Sequence, residues 1–361
     1  MKYGIYPYSD NDFSLVEYLI KNNKLPISAV IYPKSWNVHT DSRLGINSFN
    51  DFDEALKGID GLVILQNNQY KLTIQKIRKV IKQHKNIICC MQLKEFDFLQ
   101  LEGESTREGV LFNYIQKENA EIKKKIEERT GYFLTQECVV VAIGAISEGI
   151  STSALTLDLT NSLTRKGYNV TSIVSDVNLE LCGFERLLPY QLKGVENDPS
   201  QFIYDLNVYI NYLQMRHQSD IILLQLPQEG MFRVYNNLPF GFGVKPYLVS
   251  QAVDVDYSVI ISGVEIYDSE IYEKISECFK NRYGFPIDAV VVSEQTIDYS
   301  LSLQNSEMTY KTVPNEAVDS CVEELLAGKT NILYCRKHEK NLGEKIADDC
   351  IDHLSQNTAQ F

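Results

Sequence analysis

Short apolar runs alternate with segments of helical period along residues 1–96. The runs predicted as strands are 2–6, 27–32, 62–65 and 87–91. The stretch DFSLVEYLIKNN lies between the first two runs, and residues 70–84 also carry their apolar side chains at helical spacing. Alternation of this kind predicts a parallel sheet that is covered by helices on both faces. We therefore expect an N-terminal Rossmann-like domain over residues 1–96.

The alternation resumes at residue 137 and continues to residue 361. Strands are predicted at 138–143, 169–174, 220–226, 257–262, 288–293 and 331–335, and helices at 151–166, 200–216, 267–281, 315–326 and 340–354. Leu155, Leu159 and Leu163 give the first of these helices one apolar face. The pattern predicts a second α/β domain over residues 137–361.

Residues 97–136 have a different pattern, because charged residues cluster there. In NYIQKENAEIKKKIEERTGYF the apolar stripe is sparse and consists of Tyr114, Ile115, Ile122 and Ile126. This pattern indicates an exposed charged helix that ends at Gly131 and connects the two domains. Two interpretations stay open: a solvated linker packed on one side, or a surface for a partner or a second copy of the chain.

Composition and charge exclude several classes of protein. The hydrophobic fraction of 44% is ordinary for a globular protein, and the apolar runs are far shorter than a membrane span of about 20 residues. A net charge of −13 leaves no excess of Lys and Arg to neutralise nucleic-acid phosphates. The start MKYGIYPYSDND does not have the pattern of a signal peptide, and the eight cysteines contain no CxxC pair. We expect a cytoplasmic protein without a nucleic-acid or membrane partner, and the five scattered histidines predict no metal site.

The stretch VVVAIGAISEGISTSALTLDL, residues 139–159, has the order strand, glycine, loop, glycine, helix. Units of this order bind phosphate through inward-pointing loop amides and the partial positive charge of the helix N-terminus. Gly144 is expected to open the turn, and the spacing to the second glycine is GxxxxG. The residues of this predicted phosphate-loop-like site are Gly144, Ser147, Gly149, Ser151, Thr152 and Ser153. A bare turn between a strand and a helix is the alternative.

Two residues that nucleotide hydrolysis requires are replaced. A Lys after the second glycine normally reaches the β- and γ-phosphates, and this chain has Ile150 there, with Glu148 adding a negative charge inside the loop. The predicted strand in DIILLQLPQEG ends at Gln225, where a carboxylate would hold Mg²⁺ more strongly than an amide does. Hydrolysis of a nucleoside triphosphate is therefore not expected. No cofactor is predicted, and ATP with Mg²⁺ remains only as the alternative.

Further residues lie at positions that suit a switch or a lid. Asp176 follows the predicted strand 169–174, where nucleotide enzymes often carry an acidic switch residue. In the stretch LPFGFGVK, Gly241 and Gly243 could make a mobile loop over the site, and Lys245 could supply the missing positive charge; an ordinary turn is the alternative.

Three other side chains are candidates for binding or catalysis. Trp36 and His39 follow the second predicted strand, where ligands gather in an open sheet, although a surface loop is the simpler interpretation. Cys182 could be a nucleophile, but the sequence puts no His or Asp beside it, which favours a core thiol.

The first strand runs into YPYSD rather than GxGxxG, so dinucleotide binding is not expected.

Several stretches resemble known groups of proteins. GISTSALTLDLTNSLTRKGYNV and DIILLQLPQEG, with the Rossmann-like first half, are similar to two-domain relatives of the P-loop NTPases in the dethiobiotin-synthetase-like group. KYGIYPYSDNDFSLVEYL, YPKSW, GVKPYLVSQAVDVD and RYGFPIDAVVVS resemble, over most of the chain, a clostridial family of "peptide maturation system" proteins. Members of that family are encoded beside radical-SAM enzymes and short bacteriocin-like precursor peptides. The resemblance implies a role in the maturation of a ribosomally made peptide and supplies no catalytic residue.

These observations lead to one expectation and two alternatives. The expected protein is a non-hydrolysing pseudo-NTPase scaffold that binds the precursor peptide or the radical-SAM modifying enzyme, with a homodimer as the default assembly. The first alternative is an ATP-dependent ligase or kinase that acts on the peptide. The second is a metal-free protein that binds a small anion at residues 151–153.

Overall fold

The structure is a computed structural model that describes residues 1–34, 43–116, 121, 124, 128, 133–187, 198–238, 242–266 and 268–358. The chain divides into two compact units. The first comprises Met1–Glu118 and Asp176–Phe184, and the second comprises Asn119–Ser175 and Glu185–Phe361. No helix among the described residues combines the length and the apolar composition that crossing a membrane requires.

The first unit is built on a parallel sheet with the strand order β3-β2-β1-β4-β5-β6. Its strands are β1 (Tyr3–Tyr6), β2 (Ile27–Ile31), β3 (Asn47–Phe49), β4 (Gly61–Ile64), β5 (Asn86–Cys89) and β6 (Phe112–Tyr114). Its helices are α1 (Phe13–Lys21), α2 (Phe52–Leu56), α3 (Tyr70–Lys82) and α4 (Glu95–Arg107). This is the strand order of a Rossmann fold, so the fold class predicted for this half is confirmed.

The first sheet extends beyond the predicted domain boundary. Helix α4 ends at Arg107, and β6 then pairs with β5 as an edge strand. The boundary predicted at residue 96 therefore falls inside the first unit. The stretch predicted as a connecting helix, within 97–136, begins in β6, and most of its residues from 117 onward, including Gly131, lie outside the described part of the chain.

The second unit is built on a parallel sheet with the strand order β15-β12-β11-β7-β10-β8-β9 and a small antiparallel pair, β13 and β14. The strands are β7 (Val139–Ala145), β8 (Val170–Val174), β9 (Glu185–Arg186), β10 (Ile221–Gln225), β11 (Tyr257–Ser262), β12 (Ala289–Val292), β13 (Gln295–Ile297), β14 (Tyr310–Thr312) and β15 (Leu333–Arg336). The helices are α5 (Ser153–Arg165), α6 (Pro199–His217), α7 (Val244–Ser250), α8 (Ser269–Tyr283), α9 (Tyr299–Asn305), α10 (Asn315–Leu326) and α11 (Leu342–Thr358). All six predicted strands and all five predicted helices of this half are present, with ends shifted by a few residues.

Both faces of the second sheet are buried under helices. Along β7, Val140 and Ala142 belong to one apolar cluster, whereas Val141 and Ile143 belong to the cluster on the opposite face. Successive side chains of a strand point to opposite faces, so a strand that is covered on both sides is apolar at every position. This is why the run VVVAI predicts a central strand.

Candidate functional site

The loop after β7 starts later than the sequence predicts. Gly144 lies inside β7, and a Cβ atom there would come within 2.7 Å of the Met231 sulfur. The expectation that Gly144 opens the turn is therefore wrong: the strand needs glycine at this position because the core leaves no space for a side chain. The first loop amide, that of Ile146, donates to the carbonyl of Ile261 at 2.9 Å and so continues the sheet.

The second glycine of the loop is covered by an aromatic side chain. Gly149 has a φ of +83°, and a Cβ atom there would be 3.3 Å from the ring of Tyr310 on β14. The Tyr310 hydroxyl donates to the carbonyl oxygen of Glu148. Burial raises the pKa of Tyr310, so its phenol stays protonated and keeps this donor role. The loop is thus held in place by a side chain from β14.

Ile150 is a core residue. Its side chain is fully buried in the cluster that contains Ile143, Leu155 and Leu159. The position at which a nucleotide-binding protein has Lys therefore points into apolar packing in this chain. A lysine here would bury an ammonium group among aliphatic side chains, which is strongly unfavourable.

The hydroxyl groups of the predicted site lie at the start of α5. Thr152 is the N-cap residue of that helix and is buried, as is Ser147 in the loop. The Ser151 hydroxyl accepts a weak bond of 3.4 Å from the amide of Ser153. These residues are therefore close together, as their sequence positions require.

Gln225, at the end of β10, joins three elements of the second unit. It is fully buried. Its side-chain nitrogen donates to Thr152 Oγ1 at 2.9 Å and to Ser153 Oγ at 3.3 Å. Its oxygen accepts from the Ser175 amide at 3.0 Å, and the Ser175 hydroxyl, 3.3 Å from the same oxygen, makes a shorter bond of 3.0 Å to the carbonyl of Leu226. Both ends of the glutamine amide therefore have partners inside the protein.

The Gln225 amide turns its nitrogen, and not its oxygen, toward the start of α5. Magnesium takes oxygen ligands at about 2.0–2.1 Å, and an amide N–H group is not such a ligand. Here an N–H group of Gln225 points directly at Thr152 Oγ1 instead. Among the described residues, no group of three or more His, Cys, Asp or Glu side chains could hold a metal ion.

The predicted switch and lid residues have structural partners. Asp176 belongs to the first unit, where its carboxylate accepts from the Asn178 amide at 3.0 Å and caps a 3-10 helix. The Lys245 ammonium forms an ion pair with Glu229 at 2.8 Å, so its charge is compensated locally. Gly243 is the N-cap of α7 with a φ of +55°, and Gly241 lies outside the described residues.

Of the candidates Trp36, His39 and Cys182, the structure describes Cys182. Trp36 and His39 lie outside the residues that it describes. Cys182 is buried at the end of the 3-10 helix Val177–Cys182, and burial raises the pKa of its thiol to about 12. Since the thiolate is the nucleophilic form, this favours the core-thiol interpretation.

A small cleft beside the loop was not predicted. It has room for about one water molecule, and its lining includes Ser147 and Glu148 together with Ile297 and Met308. Part of its wall comes from the segment 232–238. Because three distant segments contribute, no local motif in the sequence could have indicated it.

The second unit therefore has a strand–loop–helix unit of the P-loop type, and the first unit has a Rossmann-like sheet. The chain is similar to a solved DUF1611 family protein from Anabaena variabilis, with a TM-score of 0.60 and 11% identity over 98% of this chain and 99% of that one. At this identity the similarity shows the fold alone. Two further solved structures match too weakly to support an argument. Chloroplast FtsY from Physcomitrella patens has a TM-score of 0.32 and 14% identity over 84% of this chain and 86% of that one. A probable dehydrogenase from Thermotoga maritima has a TM-score of 0.27 and 12% identity over 44% of this chain and 50% of that one. No protein-family model matches the sequence, and no curated protein matches it.

Proposed function

We propose that this protein is a cytoplasmic accessory factor in the maturation of a ribosomally made peptide and that it acts as a non-hydrolysing scaffold. The observation that carries the non-hydrolysing part is the buried Gln225 side chain. Its amide nitrogen faces the hydroxyl groups of Thr152 and Ser153, so the end of β10 offers a magnesium ion no carboxylate.

The electrostatics of the loop support the same conclusion. A cation and a metal-holding acid each contribute about 10²-fold or more to phosphoryl transfer, and this chain has the buried Ile150 and the amide Gln225 instead. Glu148 adds a negative charge to the loop itself. A triphosphate would therefore meet repulsion and would find no compensating cation on the loop.

The peptide-maturation part of the proposal is supported by the resemblance of the sequence to the clostridial family. The partners proposed on that ground are a short precursor peptide and a radical-SAM modifying enzyme. A homodimer is the default assembly for a chain of this kind.

Isothermal calorimetry with MgATP and with MgGTP, combined with a phosphate-release assay, tests the non-hydrolysing part. We expect no saturable heat at millimolar nucleotide and no release of phosphate above the buffer rate. Micromolar affinity together with phosphate release would contradict the proposal and favour the ATP-dependent ligase or kinase. In that case a Lys245→Ala variant would show whether this ammonium supplies the missing charge.

Co-purification tests the scaffold part. Where the neighbouring genes encode a precursor peptide and a radical-SAM enzyme, each is passed over the immobilised protein, with an unrelated peptide of equal length and charge as the control. We expect one or both partners to be retained selectively. If neither is retained while sulfate or phosphate raises the melting temperature, the anion-binding alternative is favoured.

A further inference from the structure

Helix α4 of the first unit carries an exposed apolar stripe on its outer face. Phe96 and Leu99 are 69% and 57% exposed, and Gly103 continues the stripe without a side chain. These positions are three and four residues apart, which places them on one face of a helix. The buried residues of α4, Leu101 and Ser105, lie on the opposite face. Neighbouring large apolar side chains on an outer face indicate a contact with another molecule.

The helix is held firmly against its own unit, so the stripe is a fixed surface. The Tyr70 hydroxyl of α3 donates to Asp97 Oδ2 at 2.7 Å. The Phe98 ring packs on the Tyr114 ring of β6, with the two centroids 5.0 Å apart. Asp97 and Phe98 both lie off the stripe. A helix that is already fixed in this way loses little freedom when it binds a partner, which favours binding.

The charge and the shape of the stripe are complementary to the same stripe on a second copy that runs in the opposite direction. Glu95 begins α4 and Arg107 ends it; both are exposed, and neither forms an ion pair within the described part of the chain. Arg107 Nε donates to the carbonyl of Gly103 at 3.2 Å, so this side chain lies along the stripe. A two-fold axis across the outer face, at the level of Leu101, would bring Glu95 of one copy opposite Arg107 of the other. The same axis would bring Leu99 opposite Gly103, where no atom lies within 4 Å of the place of a Cβ.

Charge favours this direction over its alternative. If two α4 helices packed in the same direction, Glu95 would face Glu95, Arg107 would face Arg107, and Leu99 would meet Leu99. Like charges opposite one another oppose association, whereas opposite charges favour it. A contact between the same surface of two identical chains closes at a dimer. A second copy of this chain therefore fits the stripe.

The neighbouring sheet edge has a similar character. Strand β6, on which α4 packs, is the last strand of its sheet. Residues 109–116, GVLFNYIQ, contain no charged residue and no proline, and Leu111 in this stretch is 62% exposed. Sheet edges are commonly protected by charged residues or proline. A sequence without either of them beside α4 is what an edge near a contact between copies requires.

We propose that two copies of this chain associate through an antiparallel contact of their α4 helices. A helix pair about 20 Å long is a small interface, in the class of weak and transient contacts. The chain is therefore largely monomeric at low micromolar concentration and dimeric at high concentration. The proposed function includes a homodimer as its default assembly; this inference supplies the surface and does not rest on the peptide or the modifying enzyme.

Sedimentation equilibrium over about 5–500 µM protein measures the association, for which we expect a Kd of roughly 10–100 µM. Phe96→Glu and Leu99→Glu should each raise the Kd at least about tenfold, because each puts a charge into the apolar contact. Met215→Glu is the matched control and should leave the Kd unchanged, since Met215 is also 69% exposed but lies on α6 of the second unit. Circular dichroism confirms that the variants, all on the surface, are folded.

Charge reversal tests the antiparallel direction. Glu95→Arg and Arg107→Glu should each raise the Kd about three- to tenfold, because each turns two attractive pairs of the symmetric dimer into repulsive ones. The double variant has attractive pairs again and should return the Kd to within about twofold of the value for the unmodified protein. A local structural effect of either substitution would not be rescued in this way.

A monomer at every concentration would overturn the inference, as would a Kd that is unchanged by Phe96→Glu and Leu99→Glu, or single charge variants that the double variant does not rescue. If the chain stays monomeric and Phe96→Glu abolishes retention of a different protein, the stripe binds that protein and not a second copy. The outcomes are separate from those for the proposed function. A dimer through α4 without retention of either partner leaves the surface standing while the function fails, and retention by a monomeric chain does the reverse.

Discussion

At the scale of single residues, burial decides what a side chain can do. An exposed glutamine can ligate a metal ion or bind a nucleotide. The side chain of Gln225 instead forms hydrogen bonds with Thr152 and Ser175 inside the protein. An unpaired buried polar group costs free energy, whereas a paired one stabilises the elements that it joins. The residue that ends β10 therefore holds the start of α5 in place.

Replacing Gln225 by Ala should lower the free energy of unfolding by about 3 kcal/mol, because it leaves the Ser175 amide and the Thr152 hydroxyl without this partner. Urea unfolding followed by circular dichroism measures the change. Gln251→Ala is the control, since that half-buried amide makes a long bond of 3.3 Å to its neighbour, and it should change stability by about 0.5 kcal/mol or less. Equal effects of the two substitutions would contradict the assigned role of Gln225.

Asp288 should make stability depend on pH. Its Oδ2 accepts from the Ser258 amide at 2.8 Å, its Oδ1 lies 3.9 Å from His353 Nε2, and burial raises the pKa of this carboxyl to about 6. A carboxyl with a raised folded-state pKa contributes stability that is present below pH 4 and is lost as the pH rises through 6.

Asp288→Asn keeps the shape of the side chain and stays neutral, so it lacks this loss. We expect the stability of the unmodified protein relative to the variant to fall by on the order of 2 kcal/mol between pH 4 and pH 7. Urea titrations of both proteins at several pH values measure the difference between their free energies of unfolding. The contributions of the other carboxyl groups are the same in both proteins and cancel in this difference. Parallel profiles of the two proteins would contradict the raised pKa.

At the scale of elements, glycines show how the same residue type serves different purposes. Gly144 is required inside a strand by close packing, Gly149 is required in the loop by its positive φ, and Gly103 lies in the middle of α4 with no atom near its absent side chain. Their environments therefore predict opposite responses to the addition of a methyl group.

Gly149→Ala should lower the free energy of unfolding by about 1–2 kcal/mol, because alanine is strained at positive φ and its methyl would press on the Tyr310 ring. Gly103→Ala should raise stability by about 0.5–1 kcal/mol, since alanine is the better helix former and open space surrounds it. Thermal unfolding of both variants checks the pair, and a loss of stability in Gly103→Ala would show that this helix face is occupied.

At the scale of the whole molecule, the fold determines which thiols can react. Cys278 is exposed, Cys138 is intermediate, and the other cysteines are buried: Cys89, Cys90, Cys182, Cys321, Cys335 and Cys350. Burial raises the pKa of Cys89, Cys182 and Cys350 to about 12. A buried thiol with a raised pKa is both inaccessible and scarcely ionised at neutral pH.

A thiol-reactive chromogenic disulfide should therefore react rapidly with one group per native chain, and all eight should react after unfolding in denaturant. Cys278→Ser should remove the fast phase, and Cys182→Ser should leave it unchanged. If Cys182→Ser removed the fast phase instead, Cys182 would be the reactive thiol and again a candidate nucleophile.

The fold class and the main elements follow from the order of apolar and polar residues alone. Hydrophobic periodicity is a local property, so apolar runs such as 139–143 and helical stripes such as that of Leu155, Leu159 and Leu163 are sufficient to predict the parallel sheets and their covering helices. The same local information showed that the loop lacks its Lys and its acid. The short elements β9, β13, β14 and α9 were not predicted, because two to seven residues are too few to repeat a pattern of apolar and polar positions.

The state of the altered loop depends on contacts between segments that are distant in sequence. Gln225 meets Thr152 across 73 positions of sequence, and the Tyr310 hydroxyl reaches Glu148 across 162. The burial of Ile150, the position of Gly144 inside β7 and the cleft depend in the same way on chain segments that are distant in sequence. Such contacts are set by the order of strands in the sheet and by the packing on its faces, and no local pattern of residues records them.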